Sequence, residues 1–167
     1  PFFISLSSWL HGLNTTLGQT FFEGAAHILS DGEKREYTSK KLGNLQISKD
    51  QKANINSIMT ELSNSTREPN LIEENKILFM EDFSEKENAN DFSWNVFIED
   101  EDKIIAIELK SVKPNSGEMA GEKRKILEGK TALFENFPGK RINFYMGFPF
   151  DPTAEKSFGK DKDRFMG

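Results

Sequence analysis

A chain of 167 residues is long enough for one domain with a real core. Apolar content is modest at 36%, but the 15 Phe argue for a packed interior, and the lack of Cys excludes a disulfide framework or a Cys-ligated zinc. A net charge of −5 argues against a bulk nucleic-acid coat protein, and no apolar run is long enough to span a membrane.

The sequence opens at Pro1 with no initiator Met and no secretory signal, and stops at Gly167 without a clear terminal element. It reads as a processed or truncated chain forming a single domain over 1–167, and the missing Cys fits a cytoplasmic location. "NTTLGQTFFEGAAHILS" predicts a first helix capped by Asn14 or Thr15. Leu17, Phe21, Ala25, Ile28 and Leu29 recur at helical spacing and are expected to form its buried stripe, with Thr16, Gln19, Glu23 and His27 on another face. Gly18 and Gly24 inside it suggest close backbone approach or a misplaced boundary. "ISKDQKANINSIMTELSN" predicts a second helix capped by Ser48, with Ile55, Ile58, Met59 and Leu62 inward. "NLIEENKILFM" predicts a third, and "ENAND" a loop. Two strands follow around a charged turn, then the loop "SVKPNSG", a long helix from about Glu118 to Asn136, and a strand in "RINFYMGFPF" ended by Pro149 and Pro152. That order predicts a small α/β or α+β domain whose sheet is covered by helices.

Charge changes sign at the hairpin. Pro69 to Asp102 holds eleven acids against Lys76 and Lys86, whereas Lys103 to Arg141 holds nine Lys/Arg against five acids. An enzyme that brings a metal to a polyanion wants both surfaces; two ordinary solvated faces explain the counts as well. In "WNVFIEDEDKIIAIELK" a turn between Glu101 and Asp102 pairs residues whose numbers sum to 203, so Asn95 opposes Glu108 and Phe97 opposes Ala106. Side chains alternate across a strand, which puts Asn95, Glu108 and Lys110 in one cluster at the end away from the turn. The other face, with Val96, Ile98, Ile105, Ile107 and Leu109, is apolar and is expected to be covered by core. A carboxylate and a Lys together at a strand end suit metal-assisted phosphodiester hydrolysis. Magnesium is commonly held by one or two carboxylates plus a substrate phosphate, and the Leu109 carbonyl offers a further oxygen. The competing reading of Glu108 and Lys110 is a surface ion pair.

"NVFIEDEDKIIAIELK" resembles the core of the PD-(D/E)xK nuclease superfamily, in which an Asp starts one strand and (D/E)xK ends the next. Glu108 and Lys110 match the second half. The following "SVKPNSGEMAGEKRKILEGKTALFENFPGKRINFYMGFPFDP" and the opening "LNTTLGQTFFEGAAHILS" are similar to a group of Type II restriction endonucleases that cut GGNCC-like sites. The resemblance covers most of the chain. It implies an α/β, restriction-endonuclease-like core: a mixed sheet with a central antiparallel hairpin flanked by helices. It also implies magnesium, double-stranded DNA as the partner, and a homodimer matching a palindromic site.

By the same resemblance, Glu23 on the first helix is a candidate to join Asn95, Glu108 and the Leu109 carbonyl at the metal; a solvated helix face is the competing reading. His27 reads as structural. Lys113, Lys123, Arg124 and Lys125 follow the hairpin and are candidates for holding DNA phosphates, with plain solvation of each as the competing reading. The motif calls for Asp where Asn95 stands. An engineered substitution that silences a toxic nuclease, a natural change that leaves a weak or dead enzyme, or an Asp elsewhere would each account for this. Asp91 has the right parity but lies four residues back, about 13 Å along the strand. The first reading is thus a Type II restriction endonuclease. A non-catalytic DNA-binding or assembly protein on the nuclease fold, and a soluble protein with an incidental hairpin, are the alternatives.

Overall fold

The computed structural model describes residues 18, 20–37, 44–80, 84–110, 116–148 and 165–166. Helix α1 (20–30) leads into strand β1 (Glu33–Tyr37). Strand β2 (Gln46–Ser48), helices α2 (Lys49–Ser63) and α3 (Leu71–Leu78) and strand β3 (Lys86–Asn88) follow. The remainder is β4 (Phe92–Glu99), β5 (Lys103–Leu109), α4 (Ser116–Asn136) and β6 (Arg141–Gly147). The main sheet has the order β1-β4-β5-β6; β5 and β6 are parallel and the other neighbours antiparallel. This is the expected α/β core with a mixed sheet, a central antiparallel hairpin and flanking helices. β2 and β3 form a separate two-stranded ribbon.

The hairpin register is the one read from the sequence: Val96 faces Ile107, Phe97 faces Ala106 and Ile98 faces Ile105. β6 joins β5 through α4 as a parallel crossover, with Ile104 beside Ile142 and Ala106 beside Phe144. The face expected to be buried is the other one, however. Ile104 and Ala106 lie in the core with Phe97, Met119, Leu127, Ala132 and Leu133; on the other face Val96 is fully buried near Gly32, but Ile98, Ile105, Ile107 and Leu109 are only half-buried. The core therefore sits under α4, on the side that carries Glu108. A Cβ added to Gly129 of α4 would lie 2.9 Å from the Trp94 ring, so this glycine sets how closely the helix approaches β4.

β4 carries a bulge. Arg35 pairs with Trp94 but Glu33 pairs with Phe97, which leaves two residues of β4 opposite Lys34. The bulge lets Phe92 and Trp94 share the core face with Phe97 despite their opposite parity.

α2 is capped by Ser48 as expected, in a reciprocal capping box with Gln51, and buries Ile55, Ile58, Met59 and Leu62. Asn70 caps α3 by accepting from the Ile72 and Glu73 N–H groups. Three short strands were not expected: β1, β2, and β3, which takes in Glu87 and Asn88 of the presumed "ENAND" loop.

α1 presents the opposite face from the one expected. Phe21, Ile28 and Leu29 are exposed, whereas Glu23 and His27 turn toward the protein. The partners on the sheet are polar and decide the orientation: His27 Nε2 donates to the Asn95 carbonyl at 2.6 Å and Glu23 lies 3.6 Å from Lys34. A Cβ at Gly18 or Gly24 would meet nothing within 4 Å, so neither glycine marks a close approach. The expected cap residues Asn14 and Thr15, and Thr16, Leu17 and Gln19, lie outside the described residues.

Candidate active site

Alternation along β5 puts Ile104, Ala106 and Glu108 on the α4 side. Glu108 ends that row, 8% exposed, where the apolar core gives way to charge. Its Oε1 is 3.1 Å from Lys110 Nζ and its Oε2 is 2.7 Å from Lys125 Nζ. Both ammonium groups also reach Glu122, at 2.7 Å from Lys110 and 2.9 Å from Lys125. Two carboxylates and two ammoniums thus form a closed ring of alternating sign. The end of β5 and the residue after it supply one Glu–Lys pair, and α4 supplies the other at the i,i+3 spacing that brings helical side chains together. Lys125 also lies over the Trp94 ring, 5.0 Å from its centroid.

The ring fixes the protonation of Lys110. Burial alone would lower its pKa, but the hydrogen bond to Glu122 and the charge of Glu108 outweigh that and raise it. Lys110 is therefore a cation at neutral pH and a hydrogen-bond donor, not a base.

The pairing of β4 with β5 ends at Val96 and Ile107, because Asn95 lies in the bulge. The Asn95 side chain is committed to the backbone: Oδ1 accepts from the Leu109 N–H at 2.9 Å. The Lys110 N–H in turn donates to the Gly147 carbonyl at 2.9 Å, which fastens the end of β5 to β6. Asn95 thus pins the strand end that holds Glu108 and Lys110.

The other candidates are not gathered there. Glu23 was expected to point toward Glu108. Arg35 stacks on Phe97, so alternation turns Lys34, the partner of Glu23, to the opposite side of the sheet from the core. Glu23 accordingly lies on the α1 side and the Glu108 carboxylate on the α4 side. Asp91 is exposed and, because of the bulge, out of phase with Glu108; the parity read from the sequence assumed a regular strand. Lys123 was expected at a DNA phosphate, but it is buried and paired with Glu74 at 2.7 Å. Arg124 donates to Asn56 at the surface. Lys125 belongs to the ring, and Lys113 lies outside the described residues. Sequence reading missed Glu122, although "GEKRK" places it one helical turn before Lys125; the basic run drew attention away from its acid.

Among the described residues, no group of three or more His, Asp and Glu is arranged to hold a metal ion. The two ring carboxylates are hard oxygen donors, and one or two carboxylates suffice for magnesium when a substrate phosphate completes the shell. The donor set therefore fits a divalent cation that arrives with its substrate.

Residues 1–163 match the family model described as Type II restriction endonuclease, HinfI. The chain is also 47% identical over 168 residues to the Type II restriction enzyme MjaII of Methanocaldococcus jannaschii. That match covers 98% of this chain and 44% of the relative, so the chain spans less than half the length of the protein it matches. No solved structure matches it.

Proposed function

The chain belongs to the HinfI family of Type II restriction endonucleases, and from that premise we propose that it carries the magnesium-dependent, phosphodiester-hydrolysing site of a sequence-specific DNA endonuclease. The observation that carries this reading is Glu108 and Lys110 in contact at the end of the central strand, where Asn95 accepts from the Leu109 N–H between them. Glu108 would hold the divalent cation, with the Leu109 carbonyl as a further candidate oxygen. That cation supplies Lewis-acid chemistry, lowering the pKa of a water and offsetting charge on the phosphate. Lys110, kept protonated by its two carboxylate partners, donates to the attacking water and to the phosphate oxygen that gains charge. Double-stranded DNA is the substrate. A palindromic target would be met by a homodimer, working in the cytoplasm.

A second reading, a non-catalytic DNA-binding protein on the nuclease fold, is favoured by one feature: the amide of Asn95 brings no charge to a ring that is already neutral. Asn95→Asp separates the two. An Asp there can still accept from the Leu109 N–H with one oxygen and offer the other to the metal. Magnesium-dependent plasmid cleavage is expected to be slow or absent with Asn95 and to rise by at least about tenfold with Asp, since a carboxylate replaces a weak neutral ligand. Calcium should support binding without cutting. Equal rates for both proteins would remove position 95 from the metal site. DNA binding without cleavage by either would establish the second reading.

A further inference from the structure

The charge ring holds two cations where a metal ion must enter. Glu108 offers one oxygen to Lys110 and the other to Lys125, so neither is free for a metal in the DNA-free protein. The two lysines are not equivalent. Lys110 directly follows β5, two residues from Glu108, and its backbone N–H is bonded to Gly147. Lys125 reaches across from α4 and has two other contacts ready: Glu122 at 2.9 Å, three residues back on the same helix, and the Trp94 ring. It can leave Glu108 without becoming unpaired.

We propose that Lys125 is the resident counter-ion of Glu108 in the free protein, and that a divalent cation binds by displacing its ammonium from Glu108 onto Glu122 and a DNA phosphate. This rests on the reading of Glu108 as the metal-holding carboxylate and goes beyond it. Lys125 would keep metal affinity low until a phosphate arrives to take over its charge, coupling metal entry to DNA binding. Glu122 is then a positioning residue: it receives Lys125 and keeps Lys110 aimed at the reacting phosphate.

The test is manganese(II) binding to the full chain without DNA, read from the EPR signal of the free ion, and so independent of cleavage. Removing one like charge next to the ion should tighten binding about tenfold in Lys125→Met. Lys125→Gln should do the same, which guards against a packing defect in the Met variant. Lys125→Arg, which keeps the charge, should bind as the parent does. Adding a short DNA duplex should bring parent and Lys125→Met closer together. Binding by Lys125→Met and Lys125→Gln no tighter than the parent's would overturn the proposal. Glu108→Gln serves as the separate control: if it binds manganese as well as the parent, the reading of Glu108 as metal ligand fails instead.

Discussion

In the Asn95→Asp background, Lys110→Ala is expected to slow magnesium-dependent cleavage by roughly a hundredfold to a thousandfold, the usual loss when one electrostatic stabiliser is removed from a reacting centre. Specific DNA binding should stay nearly unchanged, because a single ammonium that is already paired inside the site adds little to a phosphate-contact surface. The reason lies in the placement of Lys110. Its Nζ is held between Glu108 and Glu122, and the two carboxylates keep it charged despite partial burial. A cation fixed in this way needs little reorganisation when charge builds on the phosphate. Metal binding should not weaken, since Lys110 is a competitor for the Glu108 oxygens and not a ligand. Initial rates of plasmid nicking, set beside gel-shift titrations in calcium, separate the two effects. Loss of binding in step with loss of cleavage would mean that Lys110 belongs to the DNA-docking surface.

The largest effect on stability is expected at Glu74. Its carboxylate is 1% exposed and pairs with Lys123, itself buried, so α3 and α4 are joined by an ion pair inside the protein. Lys130 lies close by, bonded to Asn75, and feels both charges. Glu74→Gln keeps the shape and removes the anion, leaving a buried ammonium without a counter-charge. Breaking one partner of such a pair costs about 3–5 kcal/mol. Replacing both, as in Glu74→Leu with Lys123→Met, should cost much less, because no charge is then stranded. Burial already holds Lys130 below the usual lysine value of 10.5, with Glu74 opposing that and Lys123 adding to it. A lysine with a lowered folded pKa binds fewer protons when folded than when unfolded, so its cost is greatest below the folded pKa. That cost fades as pH rises toward the unfolded value. Without Glu74 the shift should deepen, and the stability lost in Glu74→Gln should be partly regained as pH rises toward 10.5. Urea denaturation of the single and double variants at two pH values checks both parts.

The parts of the fold that follow from period and turn chemistry were legible in the sequence. The charged turn at Glu101 and Asp102 sets the register that pairs Phe97 with Ala106, and Ser48 with Gln51 sets the start of α2. The contact of Glu108 with Lys110 follows from strand alternation, whereas Asn95, in the bulge, meets the strand end through the Leu109 N–H. What could not be read depended on tertiary partners. The apolar stripe Phe21–Ile28–Leu29 has the spacing of a buried face, yet α1 turns Glu23 and His27 inward because the groups it meets are polar. β1, "EKREY", lacks the apolar alternation of a strand, since an edge strand with Glu33 and Lys34 exposed shows little of it. The bulge between Trp94 and Phe97 is a backbone feature with no residue signature here, and it moves Asp91 out of phase. Glu122 and Lys125 enter the site only through the crossover that lays α4 over the end of β5. Lys123, one residue after Glu122 and two before Lys125, lies on a different face of α4 and is buried on Glu74.

The central claim is that DNA hydrolysis runs through the Glu108 carboxylate and the divalent cation it holds. Its most direct measurement is the rate of plasmid cleavage by Glu108→Gln in the Asn95→Asp background, in magnesium, with DNA binding measured in parallel in calcium. Cleavage should fall to background, with melting temperature and DNA binding largely kept, because the amide preserves the shape of the side chain and removes the charge. Cleavage at the unreplaced rate by a folded Glu108→Gln protein would contradict the central claim.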